Sequence, residues 1–108
     1  MERDRLVAER TRLADQVEAL TREFDAIVES SELVSTDDEH DPDGSTVAFE
    51  RQMVAGLLNE ARHQRDELDA ALARLDAGTY GRCAECGEPI APERLAVLPA
   101  ATVCIRCA

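Results

Sequence analysis

Two Cys-x-x-Cys pairs, Cys83-x-x-Cys86 and Cys104-x-x-Cys107, stand 17 residues apart near the end of a 108-residue chain. No other feature limits the possible folds as strongly. Two thiolates three positions apart on a tight knuckle span one edge of a tetrahedron with Zn–S near ~2.3 Å, and a second pair supplies the opposite edge. The interval between the pairs is that of a four-cysteine zinc ribbon. Gly87, directly after Cys86, suits a positive-φ turn that aims backbone N–H groups at the thiolates. Four thiolates close the coordination shell, so one structural Zn2+ held by Cys83, Cys86, Cys104 and Cys107 is expected, with no open position for catalysis. The segment 79–108 carries few large apolar side chains: Tyr80, Ile90, Leu95, Val97, Leu98, Val103 and Ile105. Metal binding, worth on the order of 10–16 kcal/mol, must therefore hold it together. Disulfides or a redox pair are the competing chemistry. Met1-Glu2-Arg3-Asp4 does not open a signal peptide, which predicts a reducing cytoplasm and favours zinc.

The preceding residues read as two long helices. Leu6, Leu13, Leu20, Ile27 and Val34 recur every seven positions, and Val17 and Phe24 fill the places four after Leu13 and Leu20. That is the 3-4 spacing of a coiled-coil seam. Arg3 and Arg10 occupy the same set, which weakens the seam near the start. A second series runs Val47, Val54, Ala61, Leu68 and Leu75, with Leu58 and Leu72 between, and Met53 and Leu57 are expected to widen it. Gly78 offers a left-handed C-cap. Pro42 and Gly44 interrupt the pattern, and Asp43 or Ser45 is a candidate cap for the second helix. The spacing predicts a helix over about 2–34, an acidic tip at 35–45 and a helix over about 46–77. Two arms, each roughly 45 Å long, joined by a short turn pair antiparallel. The expected fold is mainly α: an antiparallel two-helix coiled-coil hairpin over 1–78, then a small C-terminal four-cysteine zinc ribbon over 79–108, as a monomer.

Charge narrows the function. Residues 1–78 hold 9 Arg and 20 acids, whereas 79–108 hold 3 of each. So acidic a surface is repelled by phosphate, which argues against direct DNA or RNA binding. No apolar run is long enough to cross a membrane. No Ser/His/Asp, Cys/His or P-loop arrangement appears, so no enzyme is expected. His40 and His63 are isolated, and Arg62 is placed to pair with Asp66. Glu39-x-Asp41-x-Asp43-Gly44-x5-Glu50 resembles the calcium loop of an EF-hand, with Pro42 inside the loop and no second loop to pair with. Acid clustering at a hairpin turn explains most of that match.

The stretch Gly78-Thr79-Tyr80-Gly81-x-Cys83-x-x-Cys86-Gly87-x-Pro89-Ile90, then Arg94-Leu95, Pro99-x-Ala101 and Cys104-x-x-Cys107, resembles the zinc finger of the DksA/TraR family. The resemblance covers about 30 residues closely and the hairpin in architecture. It implies a bacterial regulator that binds RNA polymerase directly, its coiled coil entering the secondary channel so that acidic residues at the tip modulate initiation. The alarmone ppGpp is a possible co-regulator, with no residue assigned to it. Here the tip residues implied are Asp37, Asp38, Glu39, Asp41, Asp43 and Thr46. The family's tip pattern is Asp-x-x-Asp-x-Ala. Starting it at Asp41 meets Gly44 and Thr46, and starting it at Asp38 meets Asp41 but then Asp43. The alternative is a zinc-stabilised coiled-coil adaptor between proteins that does not act on RNA polymerase.

Overall fold

The computed structural model describes residues 2–34 and 42–108. Among the described residues three helices follow one another: α1 (Glu2–Val34), α2 (Pro42–Ala77) and α3 (Pro92–Val97). Among the described residues there is no strand, only an isolated antiparallel bridge between Arg82 and Pro89. No helix among the described residues is long and apolar enough to cross a membrane.

The start of α2 corrects the expectation. It begins at Pro42, ahead of residue 46. Proline suits the first helical position because its missing N–H is one that no helix start can bond. Asp43 therefore lies in α2 and not in a turn, Thr46 lies in α2 as expected, and neither Asp43 nor Ser45 precedes the helix as a cap. The calcium-loop reading fails for the same reason, since residues 42–50 are helical where the loop needs irregular backbone. The tip residues Asp37, Asp38, Glu39 and Asp41 lie outside the described residues.

Two compact units divide the chain, one formed by Met1–Arg12 with Gln64–Ala108 and the other by Leu13–His63. This is a different division from a break at 78/79, because the cysteine-bearing segment packs with the base of both long helices.

In the first unit Leu6, Leu68 and Ala71 are buried. Arg3 and Arg10, which interrupt the apolar seam, are used as ion pairs: Arg3 reaches Asp76 at 2.5 Å and Arg10 binds Asp69. The partners advance seven residues on α1 and retreat seven on α2, the signature of antiparallel helices. Both pairs are half exposed, so each is worth no more than about 1 kcal/mol. Asp66 pairs with its neighbour Arg65 at 3.2 Å and not with Arg62.

In the second unit Val17, Leu58 and Ala61 form a buried cluster with Leu20 against it, and Leu13 and Val54 are buried as well. Met53 and Leu57 do not widen this core. Both are 51% exposed, and Phe49 is 63% exposed. A helix with a single partner buries one seam, and residues beside that seam face outward.

The helix α2 ends as its sequence leads one to expect. Gly78 adopts φ 79°, its N–H bonds Leu75 O at 3.2 Å, and the Thr79 N–H bonds Arg74 O at 2.9 Å. These are the two bonds of a Schellman motif, and they turn the chain sharply into the segment that carries the cysteines.

Candidate metal centre

The four cysteines come from two knuckles that meet. The first is closed by the Gly87 N–H bonding Cys83 O at 2.9 Å and by the Cys83 N–H bonding Glu88 O at 2.8 Å. Gly87 stands at φ 76°, a conformation that a side chain would strain. The second knuckle is closed by the Cys107 N–H on Cys104 O at 3.0 Å, and the Ala84 N–H on Thr102 O at 2.8 Å ties the knuckles together. Beneath them Ile90 is buried with Cys83 and Cys104, and Leu95, Val103 and Cys107 pack against that cluster.

The result is a site for one metal ion. The thiol sulfurs of Cys83, Cys86, Cys104 and Cys107 all lie within 4.8 Å of one another. Cys86 Sγ and Cys104 Sγ are 3.8 Å apart. Zinc in a sulfur tetrahedron, with bonds of about 2.3 Å, sets its sulfurs about 3.8 Å apart. None of the four is in a disulfide.

The electrostatics ask for a cation. Backbone N–H groups, first that of Cys104 and then that of Cys86, hold the Cys83 thiol down at about 6. Cys107 is pushed up to about 12, first by its hydrogen bond with Cys104 and then by that with Cys83. Four sulfurs this close share protons until a divalent ion replaces them, so metal uptake must release protons.

Sequence reasoning missed what anchors this segment. The Arg5 guanidinium donates to Leu95 O and Ala96 O, both at 2.8 Å. These carbonyls lie in the last turn of α3, where the helix leaves acceptors unpaired and favours positive charge. Arg74 donates to Ala100 O at 3.3 Å, Arg94 to Val103 O at 3.0 Å, and the Tyr80 hydroxyl to Pro99 O at 2.8 Å. Arg5 and Leu95 are ninety positions apart, and no local pattern announces such a pair. The helix α3 was also unforeseen, although Pro92 followed by Glu93 is a readable helix start. Burial raises the Tyr80 phenol above its ordinary range. Tyr80→Phe is expected to lower stability by about 1 kcal/mol, read as a shift in the urea midpoint. An unchanged midpoint would mean that water replaces the bond at no cost.

Residues 78–108 match the prokaryotic dksA/traR C4-type zinc finger. The likeness extends well beyond the finger. A solved structure of transcription factor DksA2 from Pseudomonas aeruginosa superposes with a TM-score of 0.82 at 32% identity, covering 98% of this chain and 76% of that one. The chain belongs to the DksA/TraR family. Its finger is a C4 zinc finger for one Zn2+.

Curated relatives show how far the family likeness reaches in sequence. An uncharacterized protein of Aquifex aeolicus is 34% identical over 62 residues, which is 57% of this chain and 43% of that protein. YteA of Bacillus subtilis is 40% identical over 70 residues, 64% of this chain and 29% of YteA. The RNA polymerase-binding transcription factor DksA of Caulobacter vibrioides is 34% identical over 63 residues, 58% of this chain and 44% of that factor. The match thus spans less than half the length of each of these relatives.

Proposed function

We propose that this DksA/TraR protein is a non-enzymatic transcription regulator that binds RNA polymerase directly, as a monomer in the cytoplasm. Cys83, Cys86, Cys104 and Cys107 hold one structural Zn2+ that rigidifies the finger. The hairpin enters the secondary channel and its acidic tip modulates initiation. The observation that carries this reading is the likeness to DksA2 over nearly the whole chain, hairpin and finger together. The charge distribution supports it, because an acidic hairpin has no electrostatic drive toward nucleic acid and must act through protein.

The roles proposed at the tip fall to Asp37, Asp38, Glu39, Asp41, Asp43 and Thr46, with ppGpp as a possible co-regulator. Thr46 is exposed on α2. Asp43 lies in the first turn of α2.

The test has two readouts. Core RNA polymerase from the host is expected to retain the zinc-loaded protein in a pull-down, and a competitor that occupies the secondary channel displaces it. Asp41→Asn with Asp43→Asn is expected to abolish the effect on in-vitro transcription while binding persists. No retention at micromolar protein would sink the reading. Retention with full transcriptional effect in the double variant would remove the tip from the mechanism.

A further inference from the structure

The second unit carries an apolar surface that its own core does not use. Phe49, Met53 and Leu57 recur every four residues along α2, so they share one strip, and each is more than half exposed. An isolated exposed Leu is ordinary, but a continuous strip of three large apolar side chains marks a contact surface.

Gly56 lies within the same strip. Its φ is not in the left-handed region, and a Cβ built on it would meet nothing within 4 Å. Glycine in an exposed helix is destabilising relative to alanine, so neither backbone nor packing within this chain accounts for it. A position without a side chain leaves room there for another backbone to come close.

On the same stretch of α2, Val47 and Glu50 join Glu23, Ala26, Ile27 and Ser30 of α1 in lining a groove of about 400 Å3. Its lining is apolar apart from Ser30 and the two carboxylates, and neither Glu23 nor Glu50 has an ion pair among the described residues. Residues 13–63 hold three arginines against thirteen acids. That imbalance opposes a second copy of this chain and opposes nucleic acid, and it favours a cationic partner.

We propose that the α2 strip of Phe49, Met53, Gly56 and Leu57, together with the Glu23–Glu50 groove, docks a basic amphipathic helix of a partner protein. The helix lays its apolar face along the strip, its backbone comes close over Gly56, and its Lys or Arg side chains reach the two glutamates with their aliphatic stems in the groove. The proposal does not rest on the RNA polymerase reading, since any protein that presents such a helix fits. The two therefore fail separately.

The test uses the zinc-loaded full chain and three synthetic peptides of about 18 residues. One is a Leu/Lys peptide patterned as an amphipathic helix, the second a scramble of the same composition, and the third its Leu/Glu counterpart. In calorimetric titration the patterned basic peptide is expected to bind at least about tenfold tighter than the scramble, with no binding by the acidic one. Amide shifts are expected at residues 49–57, Glu23 and Glu50. Phe49→Ser with Met53→Gln, and separately Gly56→Gln, are each expected to weaken binding at least about tenfold. Val97→Ser with Ile105→Ser, on exposed apolar residues of the finger, is expected to leave it unchanged. Equal binding by the scramble would reduce the site to charge alone and overturn the proposal. Shifts confined to other residues would do so whether or not the variants fold. Sedimentation that finds a wild-type dimer abolished by the same substitutions would assign the strip to a second copy instead.

Discussion

Removing zinc, by a chelator or by Cys83→Ser, is expected to unfold residues 79–108 while α1 and α2 keep most of their helicity. The finger has almost no core without the metal. Ile90 is its one buried aliphatic side chain, Leu95 and Val103 are only partly covered, and Val97, Leu98 and Ile105 are exposed. So few buried groups cannot offset the backbone entropy of about 30 residues, on the order of 1–2 kcal/mol each. Metal binding, worth about 10–16 kcal/mol, supplies the part of that cost that the few buried groups and the backbone hydrogen bonds leave uncovered. The single tyrosine is a built-in reporter, because the Tyr80 hydroxyl bonds Pro99 O only when the finger is folded. Chelation should change tyrosine emission and collapse the amide dispersion of residues 79–108 in NMR spectra. Dispersion that survives a stoichiometric excess of chelator would show that the finger folds without metal.

The same site sets a pH dependence of known sign. Each thiol must lose its proton to ligate, and Cys107, held up at about 12, keeps its proton at neutral pH until the metal displaces it. Zinc uptake near neutrality therefore releases protons, and apparent affinity falls as pH falls. Titration with zinc in weak buffer is expected to acidify the solution, and a colour indicator for free zinc is expected to register release on acidification.

The second large effect is in the helix pair. Leu6→Ala is expected to cost about 2–5 kcal/mol, because Leu6 is fully buried, in a unit where α2 contributes Leu68 and Ala71 to the interior. The neighbouring Val7 is 45% exposed, and Val7→Ala is expected to stay within about 0.5 kcal/mol. Urea midpoints of the two variants make the comparison. Equal costs would mean that the base of the hairpin lacks a fixed packing arrangement.

Ala71 shows how the interior was only partly legible. The heptad count picks out Leu72, yet Ala71 is completely buried and Leu72 only partly so. A small side chain lets two helices approach closely, and hydrophobic counting passes over it. Met53 and Leu57 show the opposite failure. They look like core by composition, but a two-helix hairpin has one seam and they stand beside it.

The spacing of Cys83, Cys86, Cys104 and Cys107, the seven-residue recurrence of Leu6, Leu13 and Leu20, and the stop at Gly78 are local signals. A metal tetrahedron, a coiled-coil seam and a left-handed cap each need particular residues at particular short separations. The sequence by itself thus determined that the chain is a helical hairpin followed by a zinc finger. Only the tertiary structure decided that Arg5 holds the end of α3 and that Arg3 and Arg10 become cross-helix ion pairs. It also decided that the finger shares one compact unit with the hairpin base. These depend on which distant groups the folded backbone brings within hydrogen-bonding reach, and a contact across ninety residues has no period to read.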